Sequence, residues 1–432
     1  MVLEVRSPYI VPERLNSNTP PLSMRAKAKI YSALLAFLFV SDALTSVLQT
    51  QSTNFKFLHI SLYYTIFFEA VVLASLYRPR YFKYYLMFLA LTIVVCVGYL
   101  GLLLNVSPAS LSFSKSIIYL NKYFFVFVIF ILFDFFAAKA EFVRYACRIL
   151  DIFFIVNFAA VIAGVLFHLD AFSSYGVWNN ALSERELASV MPRFGYKGII
   201  TTINEASGIY LAGMAYYMRD FLFNRRKGAM VVVVLLSALL SGAKAAMFGS
   251  LVVLYLFLFM YDRKLFYRSL LIGLASFLVL FLYFWDTLLS RVFGYLVYFS
   301  GQLSLVSFFL SERNIRVATV FSYYFKIWSP FNYIFGGFNF NSRVSPGFTE
   351  MDFFDGYLIL GMFFLVYLVY YTRLFFRYDR SNFNSVFFFI WMAVAFLGGH
   401  IFVSAMTPLF LVTYIYSGKK NVGPGSQLQN SH

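Results

Sequence analysis

Residues 84–104 read YYLMFLALTIVVCVGYLGLLL, a run without one charged side chain. A helix that crosses about 30 Å of hydrocarbon needs about 20 mostly apolar residues. This run supplies them. Working outward, comparable runs lie near 30–48, 57–77, 116–137, 149–167, 198–217, 229–243, 245–261, 268–286, 352–371, 384–399 and 401–416. The pattern predicts an all-α polytopic integral membrane protein with about twelve transmembrane helices. The pairs flanking Lys244 and His400 are short and leave room for re-entrant features.

Composition agrees. Of 432 residues, 61% are hydrophobic, 22% aromatic and 12% charged, against about 25% charged in soluble domains. Such a chain cannot cover itself with polar surface in water, which excludes soluble enzymes, nucleic-acid binders and disordered proteins. The net charge of +16 sits in short clusters between apolar runs, so it reads as topology and not as a nucleic-acid surface. Cys96 and Cys147 give neither a disulfide framework nor a metal-ligand spacing.

Most of the 35 Lys and Arg residues fall in the two tails and in alternate turns, such as Arg78, Arg80, Lys139, Arg144, Arg219, Arg225, Arg226, Arg263, Arg373 and Arg377. The positive-inside rule then places both termini in the cytoplasm. The predicted layout is a tail over 1–29, one transmembrane domain over 30–416 and a tail over 417–432. The first run reads as a retained anchor, not a cleaved signal. Two long outer loops remain, 168–197 and 287–351, and loops of that length usually carry function. The apolar segment 288–310 contains Arg291 and Gln302 and is laid along the outer interface, so the second loop is expected to contain interfacial helices.

Ionisable groups at membrane depth usually have a partner or a task. Asp42 and Glu69 are expected to pair within the bundle, and Asp134 and Asp151 with cations at helix ends. The outer side carries more chemistry. The first loop ends in R193-F-G-Y-K-G-I-I-T-T-I-N204-E205, where the alternative is a helix entrance with a snorkelling cation. L240-S-G-A-K244 sets a lysine in a tight turn, either solvated or holding an anion. In the second loop, S311-E-R-N-I-R316 spaces Arg313 and Arg316 three apart, on one helical face. Guanidinium groups suit bidentate phosphate recognition. Farther on stand G336-G337, Arg343, and E350-M-D352-F-F-D355-G-Y-L-I-L-G361. Carboxylates at a membrane boundary can become basic enough to take a proton, or simply cap a helix N-terminus. The chain has no Walker, Rossmann or zinc-helix pattern, and no metal or other cofactor is expected.

In the order R193-F-G, N204-E205, S241-G-A-K244, R313/R316, G336-G337, E350-x-D352 and D355-G-Y-L, the chain resembles the bacterial O-antigen and capsule polymerases, the Wzy family, which are related to the O-antigen ligases. The likeness covers roughly residues 190–400. It implies a glycosyltransferase of the bacterial inner membrane, with the two long loops periplasmic, that moves a growing glycan from undecaprenyl pyrophosphate onto a lipid-linked repeat unit at the periplasmic face, with a chain-length regulator as a partner. On that footing Arg193, Arg313, Arg316 and Lys244 would hold the donor pyrophosphate. Glu350 would be the base, with Asp352 the second choice and Asp355 orienting the acceptor. Asn204, Glu205, Arg343 and His400 are further candidates. The ligases carry a histidine in their large loop, and none lies between 287 and 351, which favours a polymerase. A ligase-type transferase, or a flippase with midplane polar sites, remains as an alternative.

Overall fold

The computed structural model describes residues 24–51, 60–136, 140–174, 195–283, 310, 313–341, 345–404 and 406–418. Among them are fifteen α-helices and no strand beyond an isolated Ser173–Tyr196 bridge. They are α1 (Met24–Gln51), α2 (Ile60–Ser75), α3 (Phe82–Leu103), α4 (Phe113–Phe135), α5 (Ala140–Phe167), α6 (Ile203–Asn224), α7 (Gly228–Leu240), α8 (Lys244–Tyr261) and α9 (Arg263–Tyr283). There follow α10 (Arg313–Ile327), α11 (Pro330–Phe335), α12 (Asp352–Leu360), α13 (Phe363–Phe375), α14 (Asn382–Leu397) and α15 (Thr407–Gly418). Five spans, at 26–48, 79–103, 113–135, 141–167 and 244–261, are long and apolar enough to cross a membrane. Shorter apolar helices lie at 62–75, 228–240, 363–375 and 382–397. This is an all-α architecture with helices of membrane-crossing length. Helices are what hydrocarbon demands, because each satisfies its backbone N–H and C=O groups internally.

The core is aromatic. In α4 every side chain from Tyr123 to Phe133 is buried, as befits a helix that is apolar all round. It packs Phe127 edge-on to Tyr367 of α13, with ring centroids 5.7 Å apart. Helix α6 is likewise buried from Ala206 to Arg219. Its Gly208 lies against Thr407, and its Gly213 against Phe154 of α5.

Helix ends sort into two sets. At one end Asp134 meets Arg80 at 3.5 Å and Arg377 at 3.6 Å, Arg219 meets Asp379 at 3.1 Å, and Lys227 meets Asp151 at 2.7 Å. The expected pairing of Asp134 and Asp151 at helix ends is therefore seen. Within the bundle Glu69 accepts a hydrogen bond from Asn121. The opposite end gathers the connections 104–112, 195–202, 241–243, 336–341, 345–351 and 398–404.

Two runs differ from their predicted single helices. The 352–371 run is broken at Gly361, whose φ is 57° and ψ is −140°. The segment around α11 enters that break, where Met362 N–H donates to the Ile334 carbonyl at 2.9 Å and Gly337 N–H to the Leu358 carbonyl at 2.8 Å. A Cβ at Gly361 would stand 2.2 Å from the Ile334 oxygen. Hydrophobicity cannot report such a break, since both halves stay apolar. Gly361→Ala should cost at least about 1–3 kcal/mol, from the backbone strain alone. A lowered thermal midpoint in detergent would register it, and an unchanged midpoint would mean that the loop is not locked there. The 401–416 run begins helix only at Thr407, and 398–404 is irregular backbone.

Of the two predicted loops, the second contains helices α10 and α11, while the 288–310 segment expected to lie along the interface is, but for residue 310, outside the described residues. Most of the first loop also lies outside them.

Candidate functional site

Helix α10 opens with Arg313 and presents Arg316 one turn on. Both reach Glu350. Arg316 Nη1 donates to Oε1, and Arg313 Nε stands 3.8 Å from Oε2. Arg313 is further fixed by two neutral acceptors. Its Nη1 donates to the Leu397 carbonyl at the end of α14, at 3.1 Å, and its Nη2 to Asn204 Oδ1 at the start of α6, at 3.2 Å. A helix C-terminus offers unpaired carbonyls and partial negative charge, which suits a guanidinium.

Glu350 holds a left-handed backbone, φ 61°, unusual for a residue with a side chain. The neighbouring carboxylates explain how it is kept there. Asp352 is buried and accepts the amides of His400 and Ile401, each at 2.6 Å, and of Phe402 at 3.0 Å. Asp355 is buried and accepts both the amide and the hydroxyl of Thr349 at 2.8 Å. Gly399 closes against the Glu350 backbone, where a Cβ would lie 2.5 Å from its carbonyl oxygen. Asp352 and Asp355 thus bind backbone on either side of Glu350, and only Glu350 faces the arginines.

The site continues inward. His400, φ 71°, interacts electrostatically with Glu350, Lys122 and Arg313. Lys122 and Lys197 each interact with both Glu205 and Asp42. Lys197 also donates to the Thr201 carbonyl, while Thr201 Oγ1 donates to the Asp42 carbonyl at 3.0 Å. Lys122 and Lys197 thus lie within electrostatic reach of Asp42 and Glu205, with His400 between Lys122 and Glu350, and the opposite charges relieve part of the cost of charge at this depth.

Lys244 is exposed at the first turn of α8. Its neighbour Ala245 and Arg313 flank the same glycine, Gly398, so Lys244 lies at the rim of the site. Asn204 and Glu205 belong to the site. Arg193 and Arg343 lie outside the described residues. Lys122, Lys197 and the link to Asp42 were missed from sequence. The available signal for Lys122 was a lysine within the otherwise apolar run of α4. Among the described residues, no three His, Cys, Asp or Glu side chains are grouped to hold a metal ion.

Desolvation lowers the His400 imidazole from its ordinary 6.5 to about 4, against the raising pull of Glu350. Below about pH 6.5 the unfolded chain therefore binds a proton that the folded chain refuses. This contribution to stability is complete above that pH and is lost as pH falls toward 4. His400→Asn should flatten part of the decline in thermal midpoint between pH 7 and pH 5. An identical decline in the variant would remove His400 from the balance.

No family model, curated protein or solved structure matches this chain.

Proposed function

We propose that the chain is a metal-independent polysaccharide polymerase of the bacterial inner membrane, acting at the periplasmic face on undecaprenyl-pyrophosphate-linked donor and acceptor glycans. The observation that carries the reading is the Arg313–Glu350–Arg316 clasp. Two guanidinium groups on one helical face stand ready for phosphate oxygens, and the carboxylate that neutralises them is the group a hydroxyl transfer requires. A donor diphosphate, with more charge than a carboxylate, takes over the arginines and frees Glu350. The acceptor hydroxyl oxygen bonds to the donor anomeric carbon as the bond from that carbon to the diphosphate breaks. The hydroxyl proton passes to Glu350, and the electron pair leaves on the diphosphate, where Arg313 and Arg316 stabilise it. Lys244 at the rim adds positive charge for the lipid diphosphate, and Arg193 is a further candidate. Asn204 positions Arg313. Asp352 and Asp355 act as positioning residues for Glu350.

Purified protein in detergent, given a polyprenyl-diphosphate-linked repeat unit, should produce a ladder of longer glycans. Glu350→Gln should lower the rate by about 10²–10⁴-fold, the usual worth of a positioned base, while donor binding persists. Glycan ladders at the ordinary rate would remove Glu350 from the role. The sidedness follows from charge, and Thr319→Cys on α10 should react with an impermeant thiol reagent added outside intact spheroplasts. Reaction only after lysis would overturn the periplasmic placement.

The position of His400 beside Glu350 supports a second reading, a ligase-type transfer of finished glycan to another acceptor. A deletion strain separates the two. Loss of a polymerase leaves single repeat units, and loss of a ligase leaves full-length glycan on the carrier lipid.

A further inference from the structure

At the other end of the bundle from the clasp, a cleft of about 540 Å³ opens among α5, α6 and α15. Arg144 and Cys147 from α5, Arg219 and Asp220 from α6, Arg226 from the turn after α6, and Ser417 from α15 line it. Arg219 is buried and committed, to Asp379 at 3.1 Å, to Ser417 Oγ at 2.7 Å and to the Tyr414 carbonyl. Asp220 accepts from Asn224 Nδ2 at 2.6 Å. Arg144 and Arg226 differ. Both are exposed, and neither pairs with a carboxylate among the described residues. The turn carrying Arg226 is specially shaped, since its neighbours Arg225 and Lys227 both hold left-handed backbone, φ 54° and 58°.

Basic residues at helix ends need only topology to explain them. A walled cleft asks for more, because three arginines against one aspartate leave it positive and two of its guanidinium groups uncommitted. It is ample for a whole phosphate headgroup, and it lies at the level of helix ends, where lipid headgroups lie. Basic pockets between membrane helices bind anionic headgroups in this way. We propose that the cleft is a binding site for a phosphate-bearing anion, supplied by the headgroup of an anionic membrane phospholipid, with Arg144 and Arg226 as its forks. The inference is independent of the glycan chemistry at the opposite end, so either can fail alone.

Cys147 provides the readout, with its rate in lipid lacking the anionic headgroup as reference. The full chain is placed in nanodiscs of phosphatidylcholine, with or without phosphatidylglycerol, and the maleimide modification of Cys147 is timed by mass spectrometry. A parallel arm adds inorganic phosphate to the phosphatidylcholine discs. Phosphatidylglycerol should slow Cys147, relative to its rate in phosphatidylcholine alone, by roughly fivefold per arginine engaged, from about 1 kcal/mol for each basic residue. The R144Q/R226Q double variant should lose the protection, and R144K/R226K should keep most of it. Native mass spectrometry supplies a second comparison, as phosphatidylglycerol retained by the wild type and not by R144Q/R226Q. Protection by inorganic phosphate and not by phosphatidylglycerol would overturn the lipid assignment in favour of a soluble anion. Protection by neither, or equal protection and retention in R144Q/R226Q, would overturn the site.

Discussion

Arg313→Ala and Arg316→Ala are each expected to abolish long glycan while single-repeat products persist. The two arginines are the preorganised positive charge at the point where a diphosphate departs, and removing one such donor typically costs about 10²–10³ in rate. Arg313 should show the larger loss. It is the more buried of the two, with side-chain exposures of 16% against 48%, and its hold on Asn204 and Leu397 ties α6 and α14 to the site. Its loss therefore disturbs placement as well as charge. Arg316→Lys keeps the charge without the fork and should recover only part of the rate. The measurement is the length distribution of glycan in a strain carrying each variant at equal protein level. Normal chain length in both alanine variants would end the diphosphate-clasp reading.

Asp352→Ala should unfold the site outright. Three backbone amides converge on its carboxylate in a buried place, and each amide left without an acceptor costs about 1–3 kcal/mol. The summed loss is a large part of the margin of about 5–15 kcal/mol on which folded proteins rest. Asp352→Asn should do almost as badly, because an amide offers one acceptor oxygen where two are used and turns a donor toward a donor. That result separates a positioning residue from a base. A base changed to its amide would leave the thermal midpoint in place and remove activity alone, as expected for Glu350→Gln. Fluorescence-detected size exclusion after a heating series reads both. A wild-type midpoint in Asp352→Asn would return Asp352 to the candidates for proton transfer.

Much of this was legible in the residues themselves. Apolar runs such as 84–104 announce helices because hydrocarbon admits no unpaired backbone, and a run's length is set by the thickness to be crossed. The three-residue spacing of Arg313 and Arg316 puts them on one face by helical geometry alone, and Asp134 and Asp151 found the cations expected at helix ends. The sequence also marked Glu350, Asp352 and Asp355 as a group.

What it could not do was tell them apart. That depended on which backbone lies opposite each carboxylate, and the amides of 400–402 come to Asp352 from a stretch nearly fifty residues away. The same holds for Lys122 and Lys197, whose carboxylate neighbours Asp42 and Glu205 are supplied by other helices, and for Gly361, whose break is filled by a loop from elsewhere. Hydrophobicity and spacing are properties of a segment, so one segment reveals them. Charge pairing and backbone satisfaction are properties of what two distant segments present to each other, and only the packed bundle decides them.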